Sequence, residues 1–426
     1  MTKSTSKVNF FFIALIIFMI PLSPVLPRIG FFPQIRLDEI ALLIFSFFWL
    51  INYFWENGTK IPIEAKGLNT IFIWYLCASL LPETLNIIMG NTLVNSLTPL
   101  IFINKIQYFI LAQIVFTSLK DFNTAKKYVF LIILASGVVA IVGILQYFRI
   151  PFIDTILKTY NTQGLSFIFT SDGLRRITSF FPNPNNLTVY LAFISVIIFS
   201  LLSHNSMNKY TVVLYIIFTL DVVALFLTGS RTGLFIFLLA ILIVLLFKRD
   251  WKLIFVLCIM MAAGASMMPE AFTQRIYNAV DISNGVLIWD KSFMGRLDGV
   301  SRVLPIIQNN LLFGIGNVLK NSFPISADQS YLVNLDSEYI RILLANGLLG
   351  LLMYLVFIGL IIKTLVKDIS DKNSPFIKAL SLGILAGFIG LLVGDTVGTA
   401  FRTERLIEIF WILMAVVEYL KRGRTS

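Results

Sequence analysis

Long apolar runs separated by short polar connections constrain this chain more than any other feature. Of its 426 residues, 57% are hydrophobic and 13% are charged, whereas soluble domains carry roughly a quarter charged residues. A membrane-spanning helix needs about 20 mainly apolar residues, and about twelve runs approach that length. The predicted spans cover residues 8–26, 38–55, 68–82, 98–118, 127–148, 186–203, 209–228, 231–247, 252–268, 339–362, 375–394 and 405–420. We therefore expect an all-α polytopic integral membrane protein, folded as a single membrane domain over residues 1–426.

Most lysines and most arginines fall on opposite sides of this predicted topology, and only Arg249, Arg422 and Arg424 lie on the lysine-rich side. Lysine in short loops marks the cytoplasmic side, and most lysines lie on the side that holds both termini. Two long connections then lie on the opposite face, over residues 149–185 and 269–338. The net charge of +11 arises from residues that flank spans, which indicates membrane lipids rather than nucleic acid as partners.

Most arginines lie on the predicted outer side, and the positive-inside rule does not explain their position there. The outer arginines are Arg28, Arg36, Arg149, Arg175, Arg176, Arg231, Arg275, Arg296, Arg302, Arg341, Arg402 and Arg405. Arginine surpasses lysine in binding phosphate, because its planar fork donates two parallel hydrogen bonds. We therefore predict that the outer face binds a phosphate-bearing substrate.

A tight Thr-Gly-Ser-Arg-Thr-Gly turn joins two apolar runs at residues 228–233. Its glycines permit a sharp turn, and Ser230 or Thr232 can cap the following helix. Arg231 then lies at a helix N-terminus, where backbone N–H groups favour an anion. The alternative is an arginine that extends to lipid headgroups.

An irregular segment from Arg175 to Asn186 precedes the sixth predicted span. Its asparagines, including Asn183 and Asn185, suit sugar hydroxyls, and Arg176 suits phosphate. The alternative is a turn at the membrane entry, which would also explain the two prolines.

Two further polar segments lie within the second long connection and at its end. Arg296 begins a stretch that ends in Asn-Leu-Leu-Phe-Gly-Ile-Gly at residues 310–316. The later segment carries Asp336, Glu338 and Arg341, of which the last two are spaced to pair on one helix face. Asp336 is a candidate helix N-cap or a candidate base.

These four segments, in this order, resemble the Wzy-type O-antigen polymerase and O-antigen ligase superfamily over the chain from about Arg175 onward. The resemblance implies a GT-C-like membrane glycosyltransferase at the periplasmic face of the bacterial inner membrane. It would use undecaprenyl-pyrophosphate-linked oligosaccharides as donor and acceptor. A chain-length regulator and a flippase are further expected partners.

One departure from the ligase branch favours a polymerase. The ligase branch has a histidine where the span after the large loop begins, whereas this chain has Asp336 there. The single histidine, His204, falls in a predicted cytoplasmic loop. A ligase remains the nearest alternative, and a lipid-linked oligosaccharide flippase is the alternative of a different class.

The sequence thus yields a set of candidate site residues. Asp336 and Glu338 are predicted to be catalytic. The predicted pyrophosphate and substrate ligands are Arg231, Arg176, Arg296, Arg341, Asn183 and Asn185. No cofactor or metal is expected, although Asp38 and Glu39 form a weak candidate ligand pair. Asp221 lies within a span, where a charge costs roughly 2.5–3.5 kcal/mol or more, and Lys105 is its candidate partner.

We expect both termini and the loop around Lys248 to face the cytoplasm, with residues 269–338 outside. In a variant without the two native cysteines, Asn284→Cys should react with a membrane-impermeant maleimide in intact spheroplasts. Ser426→Cys should react only after permeabilisation. The opposite pattern would reverse the predicted orientation.

Overall fold

The described part of the fold consists of long helices, a pair of short antiparallel strands and one amphipathic helix that precedes the turn at residues 310–316. The computed structural model describes residues 3–25, 36–57, 66–90, 98–157, 160, 175–252, 280–283, 286–289, 291–316, 335, 337–370 and 374–422. The helices in this part of the chain are α1 (Lys3–Met19), α2 (Leu37–Asn57), α3 (Lys66–Ile88), α4 (Thr98–Ser118), α5 (Phe122–Tyr147), α6 (Pro151–Leu157), α7 (Pro184–Ser203), α8 (Thr211–Leu227), α9 (Arg231–Lys248), α10 (Lys291–Asn309), α11 (Glu338–Ser370), α12 (Pro375–Gly394) and α13 (Glu404–Arg422). Strands β1 (Val280–Ser283) and β2 (Val286–Trp289) pair antiparallel and were not anticipated by the all-α prediction.

The helices coincide with the apolar runs wherever the chain is described. Among the described residues, 8 helices are long and apolar enough to cross a membrane. The protein is therefore a polytopic membrane protein. Most of the predicted span at 252–268 lies outside the described residues, so the total of about twelve spans stays a prediction.

The centre of the bundle is formed by α7 and α12, which are mostly buried. They pack against each other and both contact α9, while α11 packs along α3 and α13 along α4. In contrast, α2 and α8 expose large apolar side chains such as Phe47 and Tyr215. Such exposed apolar faces suit lipid rather than water.

Helix α11 folds back on itself at Gly347, which has φ 64° and ψ −169°. Along a straight helix Tyr339 and Tyr354 would lie about 22 Å apart, at about 1.5 Å per residue. Their ring centroids are only 6.4 Å apart, so residues 338–346 run back alongside the residues after Gly347. The segment 348–370 alone is long enough for one membrane crossing. The predicted continuous span at 339–362 is corrected accordingly.

The bend of α11 is held by the turn at residues 310–316. The backbone N–H groups of Ile315 and Leu348 donate across this contact, to Leu344 O at 2.9 Å and Leu311 O at 2.8 Å respectively. The backbones approach so closely that a Cβ at Gly314 would lie 2.5 Å from Ala345 backbone atoms. The glycines of both sequence motifs thus serve a backbone-to-backbone clasp between residues 310–316 and 344–349.

A proline in α3 explains the asparagine that precedes Gly347. Pro82 cannot donate to the carbonyl of Ala78, which would otherwise be left unpaired. The Asn346 side chain donates to that carbonyl at 3.0 Å. On the same face of α3, Asn86 donates to Phe313 O at 2.7 Å. The clasp therefore also ties α11 and the 310–316 turn to the proline-interrupted part of α3.

We predict that Gly347→Ala destabilises the protein by about 2–4 kcal/mol, through left-handed strain and overpacking. The new Cβ would lie 2.4 Å from backbone atoms of Leu312. Gly359→Ala is the matched control in the same helix, because no atom lies within 4 Å of its Cβ position. The control should be neutral or stabilised by up to about 1 kcal/mol. Equal thermal unfolding of the two purified variants would contradict the clasp.

Candidate active site

The turn between α8 and α9 begins α9 at Arg231. Gly229 adopts φ 61°, and the Ser230 hydroxyl accepts from the backbone N–H of Gly233 at 3.4 Å. A Cβ at Gly233 would lie 2.0 Å from the Thr188 side chain, so α7 and α9 are in close contact here. The predicted tight turn and serine cap are confirmed. Arg231 is an exposed side chain at a helix N-terminus, which is a favourable place for an anion.

Arg176 lies over this turn. Its Nε donates to Thr228 O at 2.6 Å, and its Nη2 donates to Asn185 Oδ1 at 2.8 Å. The backbone N–H of Ile177 donates to Leu227 O at 3.3 Å. Two sequence motifs, about 50 residues apart along the chain, are thereby brought together, and we call Arg176, Asn185 and Arg231 the Arg176 cluster.

The two candidate asparagines differ in role. Asn183 caps α7, since its side chain accepts from the backbone N–H of Asn186 at 2.9 Å. Asn185 is exposed and orients Arg176. The membrane-entry interpretation therefore accounts for Asn183, whereas Asn185 belongs with the arginine side chains.

Arg36 has a structural role near the start of α2. It is buried against three carboxylates: Glu408, Asp38 at 3.1 Å and Glu39 at 3.4 Å. Burial alone would lower the pKa of Arg36, but these carboxylates outweigh burial and raise it. Asp38 and Glu39 are thus engaged by an arginine, which argues against the metal-ligand alternative.

Arg405 joins three separate segments. Its guanidinium donates to Pro21 O at 3.1 Å, to Ser23 O at 2.6 Å and to Phe180 O. It also lies 4.9 Å from the ring centroid of Phe181. Some of the arginines predicted to lie outside therefore bind buried carbonyls and carboxylates of the protein, a structural role that does not require phosphate.

A second polar group lies at the base of the α11 fold-back. Arg341 grips Glu338 with both sides of its fork, with Nε to Oε2 at 2.8 Å and Nη2 to Oε1. The predicted pairing of these two residues is confirmed. The backbone N–H of Glu338 donates to Asp395 O at 2.9 Å and Gly398 O at 3.1 Å, which fixes the base of α11 against the end of α12.

Asp395 is a buried carboxyl that sequence analysis missed. Its Oδ1 accepts from the backbone N–H of Phe401 at 3.1 Å, while its Oδ2 has no hydrogen-bond partner among the described residues. Burial and the nearby Glu338 carboxylate raise the pKa of Asp395 well above its ordinary value. The available signal was an aspartate directly after the apolar run of α12.

Lys105 and Arg402 complete this second group. The Lys105 Nζ donates to the Tyr75 hydroxyl at 2.9 Å. The Tyr75 ring centroid lies 5.3 Å from that of Phe357, which lies 6.4 Å from that of Phe401, the residue directly before Arg402. Arg402 is exposed, and within the described part of the chain it makes no hydrogen bond or ion pair. We call Tyr75, Lys105, Glu338, Arg341 and Arg402 the Lys105 cluster.

The hypothesis that Lys105 pairs with Asp221 is wrong. Asp221 is buried in α8 and its Oδ2 accepts from Ser136 of α5 at 2.8 Å, whereas Lys105 of α4 faces Tyr75 of α3. The opposite charges of two residues within spans suggested an ion pair. In the structure α8 packs on α5, whereas α4 places Lys105 beside α3.

The Arg176 and Lys105 clusters lie at the same end of the bundle. Ile236, one and a half turns into α9 from Arg231, packs against Gly394, where a Cβ would lie 2.4 Å from Ile236 Cδ1. Gly394 immediately precedes Asp395, whose carbonyl holds the base of α11. The end of α12 therefore lies between the two clusters, and it contacts α9 on one side and the base of α11 on the other.

Two candidate residues contribute less to this picture. Arg296 belongs to α10, and the position of its side chain is outside the described structure. Asp336 itself lies outside the described residues, between Leu335 and Ser337. Within the described residues, no group of three or more His, Cys, Asp or Glu side chains is arranged to hold a metal ion.

Comparison with known proteins identifies one matching family. Residues 215–355 match the family model Wzy_C, described as O-antigen ligase. A comparison with curated proteins finds no match. The matched segment begins in α8 and ends in α11, so it includes Arg231 and the Glu338–Arg341 pair.

The matched residues include three of the four motif segments, all except 175–186, and the match supports the resemblance without distinguishing polymerase from ligase. Residues 215–355 are thus similar to the Wzy and O-antigen ligase superfamily, whose members are glycosyltransferase-like membrane enzymes acting on lipid-linked polysaccharide substrates.

Proposed function

We propose that the protein polymerises lipid-linked oligosaccharide repeat units at the outer face of the bacterial inner membrane. The observation that carries this proposal is the convergence of Arg176, Asn185 and the Arg231 helix N-terminus on one turn. Arg231 lies within the segment that matches Wzy_C. The substrates would be undecaprenyl-pyrophosphate-linked saccharides, one as donor and one as acceptor, as the family resemblance implies.

The Arg176 cluster supplies what a pyrophosphate leaving group needs. When the bond between the donor sugar C1 and the pyrophosphate oxygen breaks, negative charge grows on the departing phosphate. Preorganised donors at such a position contribute roughly 3–4 kcal/mol each. Arg231 and the N–H groups of the first turn of α9 would stabilise this charge directly. Arg176, held at its Nε by Thr228 O, would act from the side.

The base of α11 supplies a carboxylate for the acceptor. The acceptor hydroxyl attacks C1 of the donor sugar and must lose its proton to a base. Asp336 is our first candidate for this base. Glu338 would position the acceptor by accepting a hydrogen bond from a sugar hydroxyl. The Arg341 charge keeps the Glu338 carboxylate ionised for this role.

A polymerase is favoured over a ligase by the position of the single histidine. His204 follows the C-terminal end of α7, at the opposite end of that helix from Asn183 and the Arg176 cluster. A ligase-type histidine at the start of α11 is absent from the sequence, which has Asp336 and Glu338 there. The ligase and the flippase remain the alternatives against which the proposal is tested.

A gene deletion separates these functions by their products. Loss of a polymerase should leave surface material that carries single repeat units on gel electrophoresis. Loss of a ligase should leave polymer on its lipid carrier, and loss of a flippase should leave no exported units. Only the first outcome agrees with the proposal.

We predict that Arg231→Lys reduces polymer synthesis by at least about tenfold, because an ammonium cannot reproduce bidentate phosphate binding. The measurement is the rate of chain extension in membranes with matched protein levels. Arg249→Lys, at the opposite end of α9, is the control and should retain wild-type rates. Wild-type extension by Arg231→Lys would remove Arg231 from the site.

We predict that Asp336→Asn abolishes polymerisation while leaving thermal stability unchanged. Asparagine preserves the shape and the capping ability of aspartate but cannot accept the proton. Asp336→Ala should lose both activity and, if the residue caps α11, about 1 kcal/mol of stability. Normal polymerisation by the asparagine variant would make Asp336 a cap only, and Glu338→Gln would then be the next variant to assay.

A further inference from the structure

Two cations of the Lys105 cluster keep unused donors. Lys105 has three N–H donors, and among the described residues only the neutral Tyr75 hydroxyl accepts from it. Arg402 has five N–H donors and no hydrogen-bond partner in the described part of the chain. Burial by the surrounding protein and the positive charge of Arg341 lower the pKa of the Arg402 guanidinium, although part of the side chain reaches solvent.

The position of Lys105 is costly without a ligand. It lies two turns into α4 from Thr98, about 10 Å along the helix axis. A lysine inside a membrane span costs roughly 2.5–3.5 kcal/mol or more unless it is paired or functional. The nearest carboxylate of the cluster, Glu338, is already held by both sides of the Arg341 fork.

Two other cations at this end of the bundle are buried against protein acceptors. Arg36 contacts three carboxylates and Arg405 donates to three carbonyls. Those contacts account for the burial of Arg36 and Arg405, whereas no described carboxylate or carbonyl accepts a hydrogen bond from the Lys105 or Arg402 side chain. The unused donors of these two residues therefore indicate an anion that comes from outside the protein.

We propose that Lys105 and Arg402 form a second diphosphate site, which holds the pyrophosphate of the acceptor lipid while the Arg176 cluster holds that of the donor. The proposal rests on the proposed polymerase function, because joining two lipid-linked units requires two pyrophosphates at once. Tyr75 orients the Lys105 ammonium. Arg341 binds Glu338 beside the site and does not itself bind the diphosphate. Lys105 and Arg402 both lie outside the segment that matches Wzy_C.

A phospholipid headgroup carries the same phosphate chemistry and is the competing source of the anion. Headgroup binding would be non-selective and would give Lys105 and Arg402 a structural role in the membrane. A substrate site would instead prefer a diphosphate, since its two phosphates can engage both cations together.

Binding stoichiometry tests the proposal with the full-length protein in neutral detergent and farnesyl pyrophosphate as the probe. Isothermal titration should give two sites for the wild type and one for Arg231→Gln. For Arg402→Gln and Lys105→Met, one site should weaken by at least about tenfold, the loss expected for one charged hydrogen bond. Lys367→Gln, which removes an exposed charge at the other end of α11, is the control and should keep both sites.

Two results would overturn the second site: one-site binding by the wild type, or two unchanged sites in Arg402→Gln. Displacement of the second equivalent by phosphatidylglycerol at equal concentration would assign the cluster to headgroup lipid and also overturn it. Retention of the Arg231-dependent site in Lys105→Met shows that this variant is folded. Because the titration measures no transfer, a chain with two sites but no polymer product would refute only the polymerase function. Polymer synthesis by a one-site protein would refute only the second site.

Discussion

The need to satisfy every backbone polar group inside a membrane governs the site end of this protein. A break in a helix is tolerated there only when neighbouring groups replace the lost hydrogen bonds. Pro82 interrupts the hydrogen bonding of α3, and Gly347 reverses the direction of α11. Neighbouring segments supply the missing hydrogen-bond partners at both breaks. Asn346 pairs with Ala78 O, and the 310–316 turn pairs with residues 344–349. The candidate site depends on this clasp, because the reversal of α11 is what brings Glu338 and Arg341 to the level of Lys105 and Asp395.

The arginines at this end of the bundle occupy two different environments. Arg36 and Arg405 are buried against carboxylates and carbonyls, and they connect segments that are distant in sequence. Arg402 is exposed and unpaired within the described residues, and Arg231 projects from a helix N-terminus. The same guanidinium group suits both environments, since its planar arrangement of donors can bind carbonyls, carboxylates or phosphate. Burial and the identity of the partners, rather than residue type, separate the structural arginines from the candidate ligands.

The two cation clusters differ in construction. The Arg176 cluster is formed by a helix N-terminus, a loop and an asparagine at the surface, and its geometry follows from contacts between neighbouring connections. The Lys105 cluster draws on α3, α4, α11 and the connection between α12 and α13, so it forms only when these elements pack together. Asp395, at the end of α12, contacts the base of α11 and follows the glycine against which α9 packs. A shift of α12 would therefore move both clusters, which gives the central helix a positioning role for the whole site.

Local sequence patterns determine the positions of the helices and several short-range contacts in this protein. The helix positions follow from the apolar runs, because the length needed to cross a membrane is a property of each segment alone. The Ser230 cap, the Gly229 turn and the Glu338–Arg341 pair were also predictable, since each involves residues within four positions of one another. In contrast, the reversal at Gly347, the Tyr75 partner of Lys105, the carbonyls bound by Arg405 and the burial of Asp395 were decided by the tertiary structure. Each of these depends on which helices become neighbours, and packing between apolar surfaces decides that without leaving a periodic signal in the sequence.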